Sequence, residues 1–258
     1  MRFLLSFLLL TQPAYAALDF VTDDLVNCQS PTAFEDLGDW TMAVWVYADS
    51  FPGEGILLDM GDSAGDCCPG PIFSINSTSG DIFCRGQQYD GADNPQSTSS
   101  TTIATGAWYF LACIFDGSTA PNIYTGTLTS ALAEVSYASE SNGAGSAVSY
   151  AGNTLSLGER VFHAGAPLDG KIAMVYWWSN QVTAAELEQI RRATMHRVGR
   201  QIDTSTQVLV LDFDDQPAGS AANGDTLHNG NDSGNNCTGD DGANNAGLTW
   251  LADGFPWP

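Results

Sequence analysis

Trp40-Thr-Met-Ala-Val-Trp-Val-Tyr47 carries no charge, and the way its side chains alternate decides the fold. Trp40, Met42, Val44 and Val46 fall on one face of an extended strand, and Ala43, Trp45 and Tyr47 on the other. A period of two with both faces apolar describes a strand in the middle of a sheet, covered on both sides. Trp108-Tyr-Phe-Leu-Ala-Cys-Ile-Phe115 has the same character and stops at Asp116-Gly117, a strong turn signal. Residues 122–128 are the expected partner strand across that turn. Leu168-Asp-Gly-Lys-Ile-Ala-Met-Val-Tyr-Trp-Trp178 is a third strand-length run of β-branched and aromatic residues and the only one that leads into a helix.

Shorter strands are expected at residues 18–21, 25–28, 56–60, 72–76, 81–85, 155–158 and 208–213, separated by Gly, Pro, Ser and Asp. Residues 87–106 are polar and rich in Ser and Thr and read as a long surface loop; residues 131–152, rich in Ala, Ser and Gly, allow only weak strands. The helix is expected over residues 183–195, where Thr183 and Glu186 form a capping box. Leu187, Ile190 and Thr194 share one face, and Arg191 and Arg192 lie on the other as surface residues. A Gly/Asn/Asp-rich tail follows over residues 219–247, with apolar anchors at Leu248-Thr-Trp-Leu251 and Phe255-Pro-Trp257.

Residues 1–16 read as a signal peptide: Met1-Arg2, an apolar run broken only by Ser6, then Ala14-Tyr15-Ala16. That run is too short to span a bilayer, which takes roughly 20 residues, so no membrane insertion is expected and the chain should be secreted, extracellular or periplasmic. With Arg2 removed, 7 basic residues face 30 acidic ones, a net charge of −23. Such a surface repels nucleic acid and anionic lipid. Lys171 is the sole lysine, and 23 of the acids are Asp, a residue favoured in turns. Cys28, Cys67, Cys68, Cys84, Cys113 and Cys237 in an exported chain read as disulfides, with 15 possible pairings; Cys113, in mid-strand, also suits a buried thiol.

These segments together resemble the LamG-like jelly-roll domains of the concanavalin A-like lectin/glucanase superfamily, which includes laminin G and pentraxin modules. The 40–47 run is similar to that family's early aromatic, Thr, Ile, x, Ala-Trp-Val strand. Trp108 to Ser118 is similar to its Phe-Asp-Gly hairpin. Asp169-Gly-Lys-Ile172, Tyr176 and Thr183-Ala-Ala-Glu186 are similar to its closing strand and helix. The resemblance implies an all-β, two-sheet antiparallel jelly-roll sandwich, concanavalin A-like, with one short helix after the closing strand. It places the domain at residues 17–200, with residues 201–258 a C-terminal strand and tail packed on it. One departure stands out: Ala173-Met174 occupies the place where relatives often carry Asp-Glu.

The resemblance also implies glycan or protein recognition, often with one calcium ion. Aromatic rings stack on sugar C–H faces while Asp, Asn and Arg supply directional hydrogen bonds, so Tyr89, Asp90, Arg160, His163 and Trp178 are the candidate contacts, with Trp177 beside them. Calcium takes six to eight oxygens. The densest supply is Asp212, Asp214, Asp215, Asn229, Asn231 and Asp232; Asp59, Asp62 and Asp66 are a second. No paired-carboxylate run or triad spacing is present, so no catalytic residue is assigned. The expected function is a non-catalytic carbohydrate-binding module whose partner is a glycan or a cell-surface protein. The alternatives are a structural or adhesion protein that binds proteins and, behind it, a polysaccharide-cleaving enzyme.

Overall fold

The two faces of the 40–47 run meet different neighbours. Trp40, Met42, Val44 and Val46 project into the core between two sheets, whereas Ala43 and Trp45 lie in a second apolar layer with Leu187 and Ile190 of a helix. The computed structural model describes residues 17–21, 24–28, 32–61, 69–76, 79–91, 93–161, 165–196, 206–212, 226–227, 237–240 and 249–251. The signal-peptide reading of residues 1–16 lies outside them, as do Cys67 and Cys68.

The strands are β1 Ala17–Phe20, β2 Leu25–Asn27, β3 Trp40–Ser50, β4 Gly55–Gly61, β5 Ile72–Ile75, β6 Asp81–Arg85, β7 Gln96–Thr102, β8 Trp108–Phe115 and β9 Asn122–Thr127. After them come β10 Ala133–Glu134, β11 Tyr137–Ser141, β12 Thr154–Leu157, β13 Asp169–Trp178 and the helix α1 Ala184–His196. The chain continues with β14 Gln207–Asp212, β15 Thr226–Leu227, β16 Cys237–Asp240 and β17 Thr249–Leu251. The first sheet runs β10-β9-β8-β3-β13-β1-β17, with β14 on the second half of β13; the second runs β11-β7-β6-β5-β4-β12-β2-β16-β15. All pairings are antiparallel, and the two sheets form a jelly-roll sandwich with α1 laid on the outside of the first.

Between the sheets, Trp177 is the centre of an aromatic group, 5.0 Å from Phe34 and 6.2 Å from Trp40, which in turn lies 5.4 Å from Phe115. Such ring pairs contribute about 0.5–1.5 kcal/mol beyond the area they bury. Cys84 of β6 and Cys113 of β8 join the sheets through this core, so Cys113 is bridged and not a free thiol. Cys28 bonds Cys237 beside the β2–β16 pairing. Strands that follow the helix therefore extend both sheets: β14 on β13, β17 on β1, and β16 on β2. The Asp116-Gly117 turn needs its glycine, because Gly117 has φ 88° and a Cβ there would sit 2.7 Å from the Gly38 carbonyl oxygen.

Two expectations change. Residues 96–102 form β7 where a loop is expected. Their alternation is hydroxyl against hydroxyl, invisible to hydropathy: Ser97 and Ser99 are buried, Ser97 Oγ donates to the Pro121 carbonyl at 2.6 Å, and Ser99 Oγ accepts from the Ile82 amide at 2.8 Å. Satisfied in this way, buried hydroxyls cost little. Arg191, expected at the surface, is buried beneath α1; it binds Glu188 at 2.7 Å and donates to the Thr127 carbonyl. The capping box forms as expected, with the Thr183 amide donating to Glu186 Oε2 at 2.9 Å and the Glu186 amide to Thr183 Oγ1 at 3.3 Å.

Candidate functional site

Residues 81–85, Asp-Ile-Phe-Cys-Arg, build the site through one register. Ile82 and Cys84 are committed to the core, so Phe83 and Arg85 face outward from the second sheet. Across β5, Ser74 stands opposite Phe83 and Ile72 opposite Arg85. On the other flank β7 sets Thr98 opposite Phe83 and Gln96 opposite Arg85. The edge strand β11 continues the rows with Ser139 opposite Thr98 and Ser141 opposite Gln96. One outer face thus carries a half-buried aromatic ring beside an arginine, an amide and several hydroxyls.

A loop forms its wall. Residues 158–161 and 165–168 supply it, joined where the Leu168 amide donates to the Gly158 carbonyl at 2.7 Å. Gly165 donates to Glu159 Oε1 at 2.7 Å, and Ile56 donates to the Ala166 carbonyl at 3.1 Å. Ala166 packs with Ile56 and Ile72, and Phe83 leans on that cluster. Arg160 fastens the loop to the sheet: its Nη2 is 3.1 Å from Glu54 Oε2 and its Nε 3.9 Å from Asp59 Oδ1. Ser74 Oγ donates to the other Glu54 oxygen at 2.9 Å. Arg85 donates to the Gly70 carbonyl at 3.3 Å.

Of the residues proposed from sequence, Arg160 and Asp59 belong to this face. Tyr89 and Asp90 do not; they hold two loops together. The Tyr89 hydroxyl donates to the Gly117 carbonyl, its amide to Asn94 Oδ1, and its backbone bridges Ala147, while Asp90 Oδ1 accepts from the Ser146 amide at 2.7 Å. Burial, and then the Asp116 charge, push the Tyr89 phenol above its ordinary pKa, so it stays a neutral donor. Trp178 is 1% exposed and lies in the layer under α1, stacked 5.5 Å from Tyr176, which leaves its ring little surface to offer. Trp177 is buried between the sheets.

His163, Asp62, Asp66, Asp214, Asp215, Asn229, Asn231 and Asp232 lie outside the described residues. Asp212 is described by its backbone alone, opposite Met174 at the end of β14. Among the described residues, no group of three or more His, Cys, Asp or Glu side chains is arranged to hold a metal ion. Nor, among them, is any helix long and apolar enough to cross a membrane.

Sequence reasoning passed over Phe83, Arg85, Glu54, Gln96 and Thr98. For Phe83 a signal was present: once Ile82 and Cys84 are taken as inward, the ring between them must face out.

The family model described as the Concanavalin A-like lectin/glucanases superfamily matches residues 21–188. No curated protein matches the chain. Among solved structures, a candidate carbohydrate binding protein from Bacteroides ovatus is similar with a TM-score of 0.58 and 13% identity over 88% of this chain and 58% of that one. This chain therefore spans less than two thirds of that protein's length. A native heptameric SAP-like pentraxin from Limulus polyphemus has a TM-score of 0.49 and 14% identity, over 69% of this chain and 82% of that chain. The CBM40 of the Ruminococcus gnavus IT-sialidase, bound to α2,3-sialyllactose, has a TM-score of 0.48 and 11% identity, over 69% and 99%.

Proposed function

We propose, for a chain that belongs to the Concanavalin A-like lectin/glucanases superfamily, non-catalytic recognition of carbohydrate on the outer face of the second sheet. The observation that carries the reading is Phe83, a half-buried aromatic ring on a strand face where it is flanked by Arg85, Thr98 and Gln96. The face of an aromatic ring is electronegative, and the C–H edge of a sugar ring is its complement. Amide, hydroxyl and guanidinium groups around it match sugar hydroxyls, the arrangement of one apolar anchor with a few placed polar groups that small-molecule sites share. The Bacteroides ovatus protein, described as a candidate carbohydrate binding protein, supports the reading only through the fold it shares.

The role is read as non-catalytic because Glu54 and Asp59, the carboxylates beside Arg160, are both drawn to that one guanidinium. Glycoside hydrolysis needs two carboxyls flanking the bond to be cleaved, whereas these two converge on one arginine side chain. An extracytoplasmic location belongs to the same proposal, supported by two disulfides and the leader-like first residues. So does a calcium ion held by the Asp/Asn-rich segment, which rests on composition alone.

Co-sedimentation with a panel of insoluble polysaccharides tests the reading, run with and without a calcium chelator. Wild-type protein is expected to be retained by at least one of them. Phe83→Ala should weaken retention about tenfold, or about 1.4 kcal/mol, while Phe83→Tyr keeps it. Equal retention of wild type and Phe83→Ala would remove the site, and no retention at all would remove the function. Retention that survives chelator would remove the calcium requirement.

A further inference from the structure

We infer that this face selects a neutral glycan over one bearing carboxylate or sulfate groups; the inference rests on the carbohydrate reading above. Arginines on a sugar-binding surface would ordinarily suggest an acidic ligand, because guanidinium pairs with carboxylate and sulfate in two-pronged geometry. Here the local charges point the other way. Arg160 is engaged by Glu54 at 3.1 Å and approached by Asp59 at 3.9 Å. The Asp59 side chain is 1% exposed, so drawing Arg160 away to a ligand anion would break a buried ion pair, which is strongly unfavourable. Arg160 is thus held by the protein's own anions.

Counted over the face, two cations, Arg85 and Arg160, stand against three anions, Glu54, Asp59 and, at the start of β6, Asp81. Cations do not exceed anions even at the place where the arginines gather. The groups toward the β11 edge, Gln96, Thr98, Ser139 and Ser141, are all uncharged. Beyond them the whole chain carries −22, a field that raises the concentration of neutral over anionic polymer near the surface. An acidic glycan would have to overcome that field and find no surplus positive charge on arrival.

Affinity electrophoresis with hydroxyethyl cellulose and carboxymethyl cellulose, and with xylan and polygalacturonate, separates the possibilities. Wild-type protein should be retarded by a neutral polymer at least tenfold more strongly than by its anionic counterpart. Raising salt should leave the neutral interaction unchanged, since no counterions are released. Preference for an anionic polymer, lost as salt rises, would overturn the inference and leave carbohydrate binding standing. Retardation by none of the four would instead count against the reading beneath it. Glu54→Gln, which loosens the hold on Arg160, is expected to raise retardation by the anionic polymers severalfold; an unchanged ratio would contradict neutralisation of Arg160 by its neighbours.

Discussion

Glu188 receives Arg191 at 2.7 Å, Arg192 and the Leu132 amide at 2.9 Å, tying α1 to β9 and the loop after it. The Arg191 hydrogen bond is the largest reason that its carboxyl falls from an ordinary 4.5 to about 2. A carboxyl whose pKa is lower in the folded chain stabilises the fold above its unfolded value, and that contribution fades as pH falls through the folded one. Denaturant titrations should therefore show stability lost between 4.5 and about 2, and Glu188→Gln should flatten that part of the profile. A profile of the same slope in both proteins would assign the acid sensitivity elsewhere. Arg191's burial was unreadable from helical spacing because the carbonyl that draws it inward, that of Thr127, lies 64 residues away. Arg160 has the same character, with Glu54 lying 106 residues from it. Phe83 differs: with Ile82 and Cys84 taken as inward, strand alternation places it outside, and no ranking by conspicuous loop residues would find it.

Elements were legible where their signal was local. The helix start is written in Thr183 and Glu186, and each makes the hydrogen bond the motif implies. Thr183→Ala should cost about 1 kcal/mol in thermal or denaturant unfolding, within the range for lost N-caps; no measurable loss would mean the cap is redundant with the packing of Leu187 and Ile190. Strand β7 was hidden because hydroxyls occupy both of its faces, and its buried serines find partners on neighbouring segments. The Cys84–Cys113 bridge could not be chosen from 15 pairings by sequence, since it depends on which strands face each other across the core. It closes a separation of 29 residues, for which the chain-entropy estimate is about 3.5 kcal/mol. Cys84→Ala with Cys113→Ala should lower unfolding stability by about that amount and leave the folded far-UV spectrum intact.

Across the molecule, the sandwich was readable because the two runs apolar on both faces can be satisfied only when a sheet is covered on each side, here by the second sheet and by α1. They and the third run are scaffold: Trp40, Trp45, Trp177 and Trp178 are all buried. The function proposed here lies on the outer face of the opposite sheet, where the informative residues are few and separated along the chain. The central claim is that carbohydrate is held there. Backbone amide chemical shifts followed while a retained oligosaccharide is titrated in address that claim most directly. Shifts are expected at residues 81–85, 96–98 and 139–141, on strands β6, β7 and β11. Shifts confined to the first sheet or to the loops around Tyr89, with those amides unmoved, would contradict it.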